Sequence, residues 1–320
     1  MLSTFFVIIN KVNDMQRRKI LVIIILILLF AICGYLFYVK FDEIVGSYKI
    51  LLDDVIEKEV IIPETKEYNR EYDFDCFKNT TNFTPQNQDD IKNIFYTVLN
   101  NGWDKFIFYC PNEYTNCAYD IKAIANESDF ITTINNYVHP FNSYKRYNTL
   151  ITGEDEVLIE IEKLYTDDEI DMLNKMIDDI IIELEINKEN VTVEDIKKIH
   201  DYIAKVTTYD DNYNKNDTTT ISNKANGALV NKVALCSGYT DAFALFMDKL
   251  GIKNFKVSTD THVWNAIYFD GKWTHIDITW DDDEVNENNT YNFFMIDTEE
   301  MQKLDITEHF FNEQLYSEIN

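Results

Sequence analysis

Three residues in the C-terminal half of the chain, Cys236, His262 and Asp277, have the types and the chain order of a thiol nucleophile, its base and an orienting acid. A thiolate can attack a carboxamide or peptide carbonyl to form a thioester, while the imidazole holds the proton and then gives it to the leaving nitrogen. The carboxylate fixes the orientation of the imidazole. This chemistry requires the three side chains to meet, which depends on the elements that carry them.

Cys236 is predicted to lie at or just before the N-terminus of a helix. The apolar residues that follow it recur at the spacing of one helical face, and they are Tyr239, Phe243, Phe246 and Leu250. Gly251 then stands where a left-handed residue ends a helix. The unpaired N–H groups and the positive end of the helix dipole favour a thiolate at Cys236. A small buried hydrophobic residue is the alternative interpretation of a free cysteine.

A β-hairpin is predicted to carry the other two residues. The stretches Val263 to Phe269 and Trp273 to Trp280 are rich in β-branched and aromatic residues. Asp270-Gly271 between them is a strong signal for a two-residue type I′ turn. In that register Phe269 faces Lys272.

The same register predicts that His262 and Asp277 share a face of the hairpin. It places His262 opposite Thr279 and Trp264 opposite Asp277, so all four side chains point to one side. His262 and Asp277 are then diagonal neighbours, with Cα atoms about 7–8 Å apart and side chains closer. A slip of one residue would put them on opposite faces.

Two segments that contain these residues resemble the core of the bacterial transglutaminase-like superfamily, and they read GALVNKVALCSGYTDAFALFMDKLGI and HVWNAIYFDGKWTHIDITWDD. The family pattern is roughly GAL…C.GY..AF..L…LGI, then H.WN, then DG.W…D.TW. The similarity runs from about Ile199 to Asp282. It implies that Cys236 is the nucleophile, His262 the base and Asp277 the orienting acid.

The resemblance also implies an α+β fold and an acyl-transfer activity that needs no cofactor. A papain-like transglutaminase core is expected, in which the helix that starts at the cysteine packs on an antiparallel sheet. Oxyanion donors are required, and the candidates are the backbone N–H of Cys236 and the side chains of Tyr209 and Trp264. Shielding the His–Asp pair from water is the alternative role of Trp264. Attack of water on the thioester gives proteolysis or deamidation, and attack of an amine gives a cross-link; the sequence leaves both open.

An N-terminal membrane helix is predicted over Ile20 to Val39, because twenty uncharged residues span about 30 Å as a helix. Arg17, Arg18 and Lys19 precede it. The positive-inside rule therefore predicts a cytoplasmic N-terminus and a catalytic domain outside the cell. A cleaved signal peptide is the alternative, although no clear small-x-small site ends the apolar run. The chain starts at Met1 or at Met15.

The sequence predicts five segments: a cytoplasmic N-terminus at 1–19, a transmembrane helix at 20–39, a stalk and linker at 40–71, a small α/β domain of unassigned role at 72–165, and the transglutaminase-like domain at 166–320. The last opens on two helices that begin with capping boxes at Thr166 and Thr192. His200 lies off the apolar stripe of the second helix and is expected at the surface. Cys110 and Cys117 could form a disulfide outside the membrane or remain two free thiols.

The net charge of −27 argues against binding of nucleic acid or anionic lipid surfaces. The expected partners are the membrane, through Ile20 to Val39, and a protein or peptidoglycan-peptide substrate in the cell envelope. An apolar stripe from Phe41 to Val55 predicts either weak dimerisation through the stalk or a helix that packs on its own domain.

The sequence also contains residues of the types found in two other kinds of site, a zinc site and a calcium site. His262, His275 and Asp277 share a face of the predicted hairpin. His275 lies opposite Ala266, however, which is four residues along the strand from His262. The two histidines are therefore about 13 Å apart, too far to bind one zinc ion. His275 is therefore expected at the cleft edge or packed in the interior. The acidic run Asp281 to Glu284 is interpreted as a solvated turn rather than a calcium site.

The alternative function is a non-catalytic binding module of the cell envelope on the same fold, because a fold alone does not establish an activity. The reactivity of the Cys236 thiol distinguishes the two functions.

Overall fold

The structure is a computed structural model that describes residues 14–55, 59–153, 155–213, 221–287, 291–304 and 307–319. The chain separates into two compact units, Met1–Glu59 and Val60–Asn320.

The first unit contains one long helix, α1 (Asp14–Val55). Its stretch Arg18–Val45 is long and apolar enough to cross a membrane, and none of the residues in it is buried. This stretch includes the predicted span Ile20 to Val39. Helical structure then continues through the first part of the predicted stalk. Most side chains of the stripe from Phe41 to Val55 lie outside the described residues, so dimerisation through the stalk stays a prediction.

The second unit begins with helices around a small antiparallel sheet in the strand order β1-β3-β2. Its elements are α2 (Gln88–Asn100), β1 (Lys105–Tyr109), α3 (Cys117–Asn126), α4 (Ser128–Tyr137), β2 (Tyr144–Thr152) and β3 (Glu156–Lys163). These match the small α/β region predicted from the sequence. A disulfide joins Cys110 to Cys117, which settles the two alternatives that the sequence left open.

Two capped helices, α5 (Asp167–Glu183) and α6 (Val193–Val206), lead into the C-terminal part. The predicted capping boxes are both present, because the hydroxyls of Thr166 and Thr192 accept from backbone N–H groups in the first turn. The short strands β4 (Thr208–Tyr209) and β5 (Val233–Ala234) pair in parallel beyond them. They bring the chain to the helix that starts at Cys236.

That helix packs on a four-stranded antiparallel sheet in the order β6-β7-β8-β9. The elements are α7 (Cys236–Lys249), β6 (Asn254–Ser258), β7 (Val263–Phe269), β8 (Lys272–Ile276), α8 (Ile278–Glu287), β9 (Phe294–Ile296) and α9 (Thr298–Leu304). A helix with a cysteine at its N-terminus against an antiparallel sheet is the papain-like α+β core expected from the sequence.

The second strand of the hairpin is shorter than predicted. β8 ends at Ile276, and α8 begins at Ile278, where the strand was expected to continue to Trp280. The carboxylate of Asp277 causes this change, because its Oδ1 accepts from the backbone N–H groups of Thr279 (3.0 Å) and Trp280 (3.3 Å). A side-chain oxygen in this position starts a helix, so Thr279 is not a ladder partner of His262.

The predicted boundary between residues 165 and 166 lies inside one compact unit. A single apolar cluster joins the small α/β region to the C-terminal sheet. At its centre the ring of Tyr137 from α4 stacks on Phe255 from β6, with centroids 4.8 Å apart. The two regions share a core, and their independence as folding domains stays a prediction.

Two surface predictions are wrong. His200 is fully buried, and its Nε2 lies 3.2 Å from the buried Oδ2 of Asp281, so this pair joins α6 to α8. Asp282 is also buried and accepts a hydrogen bond of 2.7 Å from the hydroxyl of Tyr239. Asp281 and Asp282 therefore belong to the interior rather than to a solvated acidic turn.

Candidate active site

Cys236 is the first residue of α7, and its side chain is half-buried. Leu235 before it is extended, and Gly251 after the helix has a φ of +71°, as the predicted helix end requires. Because Cys236 opens the helix, its backbone N–H has no intrahelical acceptor and is available to an oxyanion.

The start of α7 is held by the segment that precedes it. The N–H of Leu235 donates to the carbonyl of Ser222 at 2.9 Å. Gly238, two residues after the cysteine, passes so close to this segment that a Cβ would lie 2.5 Å from Ser222 O and 2.9 Å from Lys224 O. A glycine is required there for steric reasons, and it fixes the position of the Cys236 turn.

His262 is positioned by a local turn and by the predicted hairpin. Its N–H donates to Thr259 Oγ1 at 3.2 Å, and its carbonyl accepts from the N–H of Thr259 at 2.9 Å. Asp270 and Gly271 have φ values of +50° and +82°, as the predicted type I′ turn requires. The ladder runs from Asn265–Ile276 to Phe269–Lys272, so the predicted register is confirmed for these pairs, whereas the predicted pair of Trp264 and Asp277 lies beyond the ladder.

The three side chains predicted from the sequence lie together. His262 Nε2 is 2.5 Å from Asp277 Oδ2, and the His262 ring lies close enough to the thiol of Cys236 for the thiol to raise the pKa of the ring. His262 and Asp277 are both buried, whereas Cys236 is half-buried beside them. A thiol, an imidazole and a carboxylate are thus joined in series.

The charge of this series is set by burial and by the carboxylate. Burial lowers the pKa of His262, but the negative charge of Asp277 and its hydrogen bond outweigh burial and raise this pKa to about 10. Burial alone would raise the pKa of Asp277, whereas the charge of His262 and hydrogen bonds from two histidines hold it well below its usual range. At pH 7 the pair is therefore an imidazolium and a carboxylate.

A third histidine, His309, contacts the same carboxylate. Its Nε2 lies 2.9 Å from Asp277 Oδ2, and its side chain is fully buried. Its ring stacks on Phe293 at 5.0 Å and meets the rings of Trp264 and Trp280 at 4.9 and 5.1 Å. Sequence analysis missed His309 because it lies 32 residues beyond Asp277 in a segment without helical or strand periodicity.

Trp264 is buried behind His262, with ring centroids 5.6 Å apart in a stacked arrangement. Its indole N–H donates to His275 Nδ1 at 2.9 Å. The indole has a single N–H group, and this bond occupies it. In this geometry Trp264 therefore has no N–H left for an oxyanion, which agrees with its alternative role of shielding the His–Asp pair from water. His275 is packed in the interior, where burial and the charge of His309 lower its pKa to about 3.

Tyr209 lies at the open side of the site and is 41% exposed. A cleft of about 260 Å³ runs past His262, and its lining residues are Tyr209, His262, Thr279, Trp280 and Glu308. Burial and the nearby charges of Cys236 and Glu308 raise the pKa of Tyr209, so its hydroxyl keeps its proton and can donate a hydrogen bond. This places Tyr209 as a cleft residue.

His262, Asp277 and His309 offer nitrogen and oxygen atoms within 4.8 Å of one another, which is the spacing of metal ligands. Both imidazole Nε2 atoms already contact the same carboxylate oxygen. Hydrogen bonds therefore account for this cluster without an ion.

Residues 182–278 match the model of the Transglutaminase-like superfamily. This segment is a transglutaminase-like domain. It includes Cys236, His262 and Asp277.

Two solved structures are similar to part of the chain. A crystal structure of a TGase covers 43% of this chain and 44% of its own, at 18% identity and a TM-score of 0.32. A candidate cysteine protease from Cytophaga hutchinsonii covers 42% of this chain and 61% of its own, at 14% identity and a TM-score of 0.27. The chain spans less than two thirds of either protein. No curated protein matches its sequence.

Proposed function

We propose that the chain is a membrane-anchored thiol acyl-transfer enzyme that acts outside the cell on carboxamide or peptide bonds of proteins or of peptidoglycan peptides. The observation that carries this proposal is the placement of the Cys236 thiol, at the start of α7, beside the buried His262 ring, which is hydrogen-bonded to Asp277. The protease, deamidase and cross-linking activities share the same first step.

In that step the thiolate of Cys236 attacks the carbonyl carbon, and a C–S bond forms. The developing oxyanion faces the backbone N–H of Cys236 at the N-terminus of α7, and the hydroxyl of Tyr209 is the side-chain candidate at the cleft. The His262 imidazolium gives its proton to the leaving nitrogen, so ammonia or an amine departs. Asp277 keeps the ring in the orientation that this transfer needs.

The thioester is then consumed by water or by an amine. His262, now neutral, takes a proton from the attacking group, the acyl group moves to oxygen or nitrogen, and the C–S bond breaks. The cleft presents the carboxylate of Glu308 beside the rings of Tyr209 and Trp280. A carboxylate and aromatic faces favour a cationic group, which supports a substrate with a primary ammonium near the reacting bond.

The location is supported by two features. The basic residues Arg17, Arg18 and Lys19 before the apolar stretch favour a cytoplasmic N-terminus. The disulfide between Cys110 and Cys117 suits the oxidising conditions outside the cell.

The proposal is tested by incubating the protein with a glutamine- and lysine-containing peptide, with and without a labelled primary amine. Mass spectrometry then separates amine incorporation, deamidation and chain cleavage. Each product should disappear with Cys236→Ala, whereas Cys76→Ala should leave it unchanged. Absence of all three products for a panel of envelope proteins and peptidoglycan peptides would favour the binding-module alternative.

A further inference from the structure

His309 has no part in the series of three residues that the transglutaminase-like resemblance implies, yet it is as deeply buried as Asp277. It belongs to the C-terminal segment, defined as residues 307–319, that follows α9. Its Nε2 and that of His262 contact the same oxygen, Asp277 Oδ2, at 2.9 and 2.5 Å. The two rings are nearly perpendicular, at 86°.

The other oxygen of this carboxylate is also fully engaged. Asp277 Oδ1 accepts from the backbone N–H groups of Thr279 and Trp280 at the start of α8. The carboxylate is thus held from both sides, by the backbone at one oxygen and by two imidazoles at the other. A buried carboxylate stays ionised only when hydrogen bonds and positive charge compensate its lost hydration.

We propose that His309 is a positioning residue of the catalytic site, which donates a hydrogen bond to Asp277 and so holds the carboxylate ionised and oriented toward His262. The C-terminal segment therefore completes the site, and Asp277 alone is not sufficient to orient the imidazole. This inference rests on the proposed function, because it concerns the same thiol.

The aromatic surroundings of His309 fix its ring independently of the hydrogen bond. Phe293 stacks on one face, while Trp264 and Trp280 contact the ring from other directions. A phenylalanine at position 309 would keep this packing without the N–H group. A glutamine would keep an N–H near the position of Nε2, so the two substitutions separate packing from hydrogen bonding.

Cys76 provides a built-in measure of whether the C-terminal segment stays docked. Its thiol donates to the carbonyl of Gln314 at 3.3 Å and lies 3.7 Å from the hydroxyl of Ser317. Burial raises the pKa of Cys76, which makes its alkylation slow. Detachment of the segment would expose this thiol and accelerate its labelling.

The test measures iodoacetamide labelling of Cys236 and Cys76 in the full chain in detergent, by peptide mass, at pH 6 and pH 9. With His309→Phe, we expect Cys236 labelling at pH 6 to fall about tenfold relative to pH 9, the size of a lost hydrogen bond to a charged group. Cys76 labelling should not change. His309→Gln should restore Cys236 labelling to within about threefold of the wild type, because the donor is replaced. Phe310→Ala, at the exposed neighbouring position, is the matched control.

The outcomes separate this inference from the proposed function. If wild-type Cys236 labels no faster than Cys76 at pH 6, the proposed function and this inference both fail. If wild-type Cys236 is fast and His309→Phe is equally fast, only the role of His309 is overturned. If His309→Phe also accelerates the labelling of Cys76, the C-terminal segment has detached, and the His309→Gln variant decides the question. Cys236 labelling near the wild-type rate in His309→Gln supports the role of His309. A loss of Cys236 labelling as large as that in His309→Phe overturns it.

Discussion

The charge on His262 is held by a carboxylate that has no contact with water. Asp277 is 1% exposed, and its acceptor sites are taken by two imidazoles and two backbone N–H groups. Such a carboxylate keeps its charge over the whole working pH range. The protonation state of His262 therefore decides when the pair is an ion pair and when it is not.

This ion pair makes stability depend on pH in a defined direction. Because the pKa of His262 is about 10 in the folded chain and about 6.5 when unfolded, its stabilising effect is complete below pH 6.5. The effect is lost as pH rises from about 6.5 to about 10. We predict that the difference in free energy of unfolding between wild type and His262→Gln shrinks by more than about 1 kcal/mol over this interval. Urea unfolding at both pH values measures it, and a constant difference would contradict the assignment.

A second prediction at the residue scale concerns Trp264. Trp264→Phe removes the N–H that donates to His275, which leaves a buried nitrogen without its donor. We expect a loss of about 1–3 kcal/mol in the free energy of unfolding. The acylation rate with p-nitrophenyl acetate should change by less than about threefold, whereas loss of an oxyanion donor costs about 10²–10³-fold. A loss of that size, with stability unchanged, would assign Trp264 to the oxyanion.

At the scale of elements, the position of Cys236 depends on the close packing of the first turn of α7 against the backbone of Ser222 and Lys224. We predict that Gly238→Ala lowers the free energy of unfolding by about 1–3 kcal/mol, because the added Cβ would overlap the carbonyls of Ser222 and Lys224. Thermal or urea unfolding measures the loss. Ser237→Ala, on the same helical turn, is the control and should change stability by less than about 0.5 kcal/mol. Equal stability of the two variants would show that the close approach does not occur.

The elements that could be predicted from the sequence are those with local signals. The helix α7 follows from apolar spacing and from the glycine that comes after its end, and the hairpin follows from Asp270-Gly271. The end of β8 could not be predicted in this way. Residues after Asp277 suit a strand by type, but the carboxylate binds two backbone N–H groups and starts a helix.

His200 and His309 show what local patterns cannot reveal. His200 lies off the apolar stripe of α6 but is buried because it meets Asp281 of α8, which is a contact between distant segments. His309 reaches Asp277 only after the C-terminal segment folds back across the sheet. Neither contact leaves a periodic signal in its own segment.

At the scale of the whole molecule, the membrane orientation determines the state of the cysteines. An external domain should carry the Cys110–Cys117 disulfide. We predict that maleimide, added to acid-quenched and denatured whole-cell protein, labels Cys110 and Cys117 only after reduction. Cys76, a free cysteine in the described part of the chain, should label with and without reductant and serves as the control. Labelling of all three without reductant would contradict an external location.

The most direct test of the central claim is the rate of Cys236 alkylation by iodoacetamide in the full chain, measured by peptide mass at pH 6. If Cys236 is paired with a charged His262, it should label at least about tenfold faster than Cys76, and His262→Ala should abolish this difference. Fast labelling that depends on His262 would establish a working thiolate–imidazolium pair. If Cys236 labels as slowly as Cys76, or if His262→Ala has no effect, the catalytic account is contradicted.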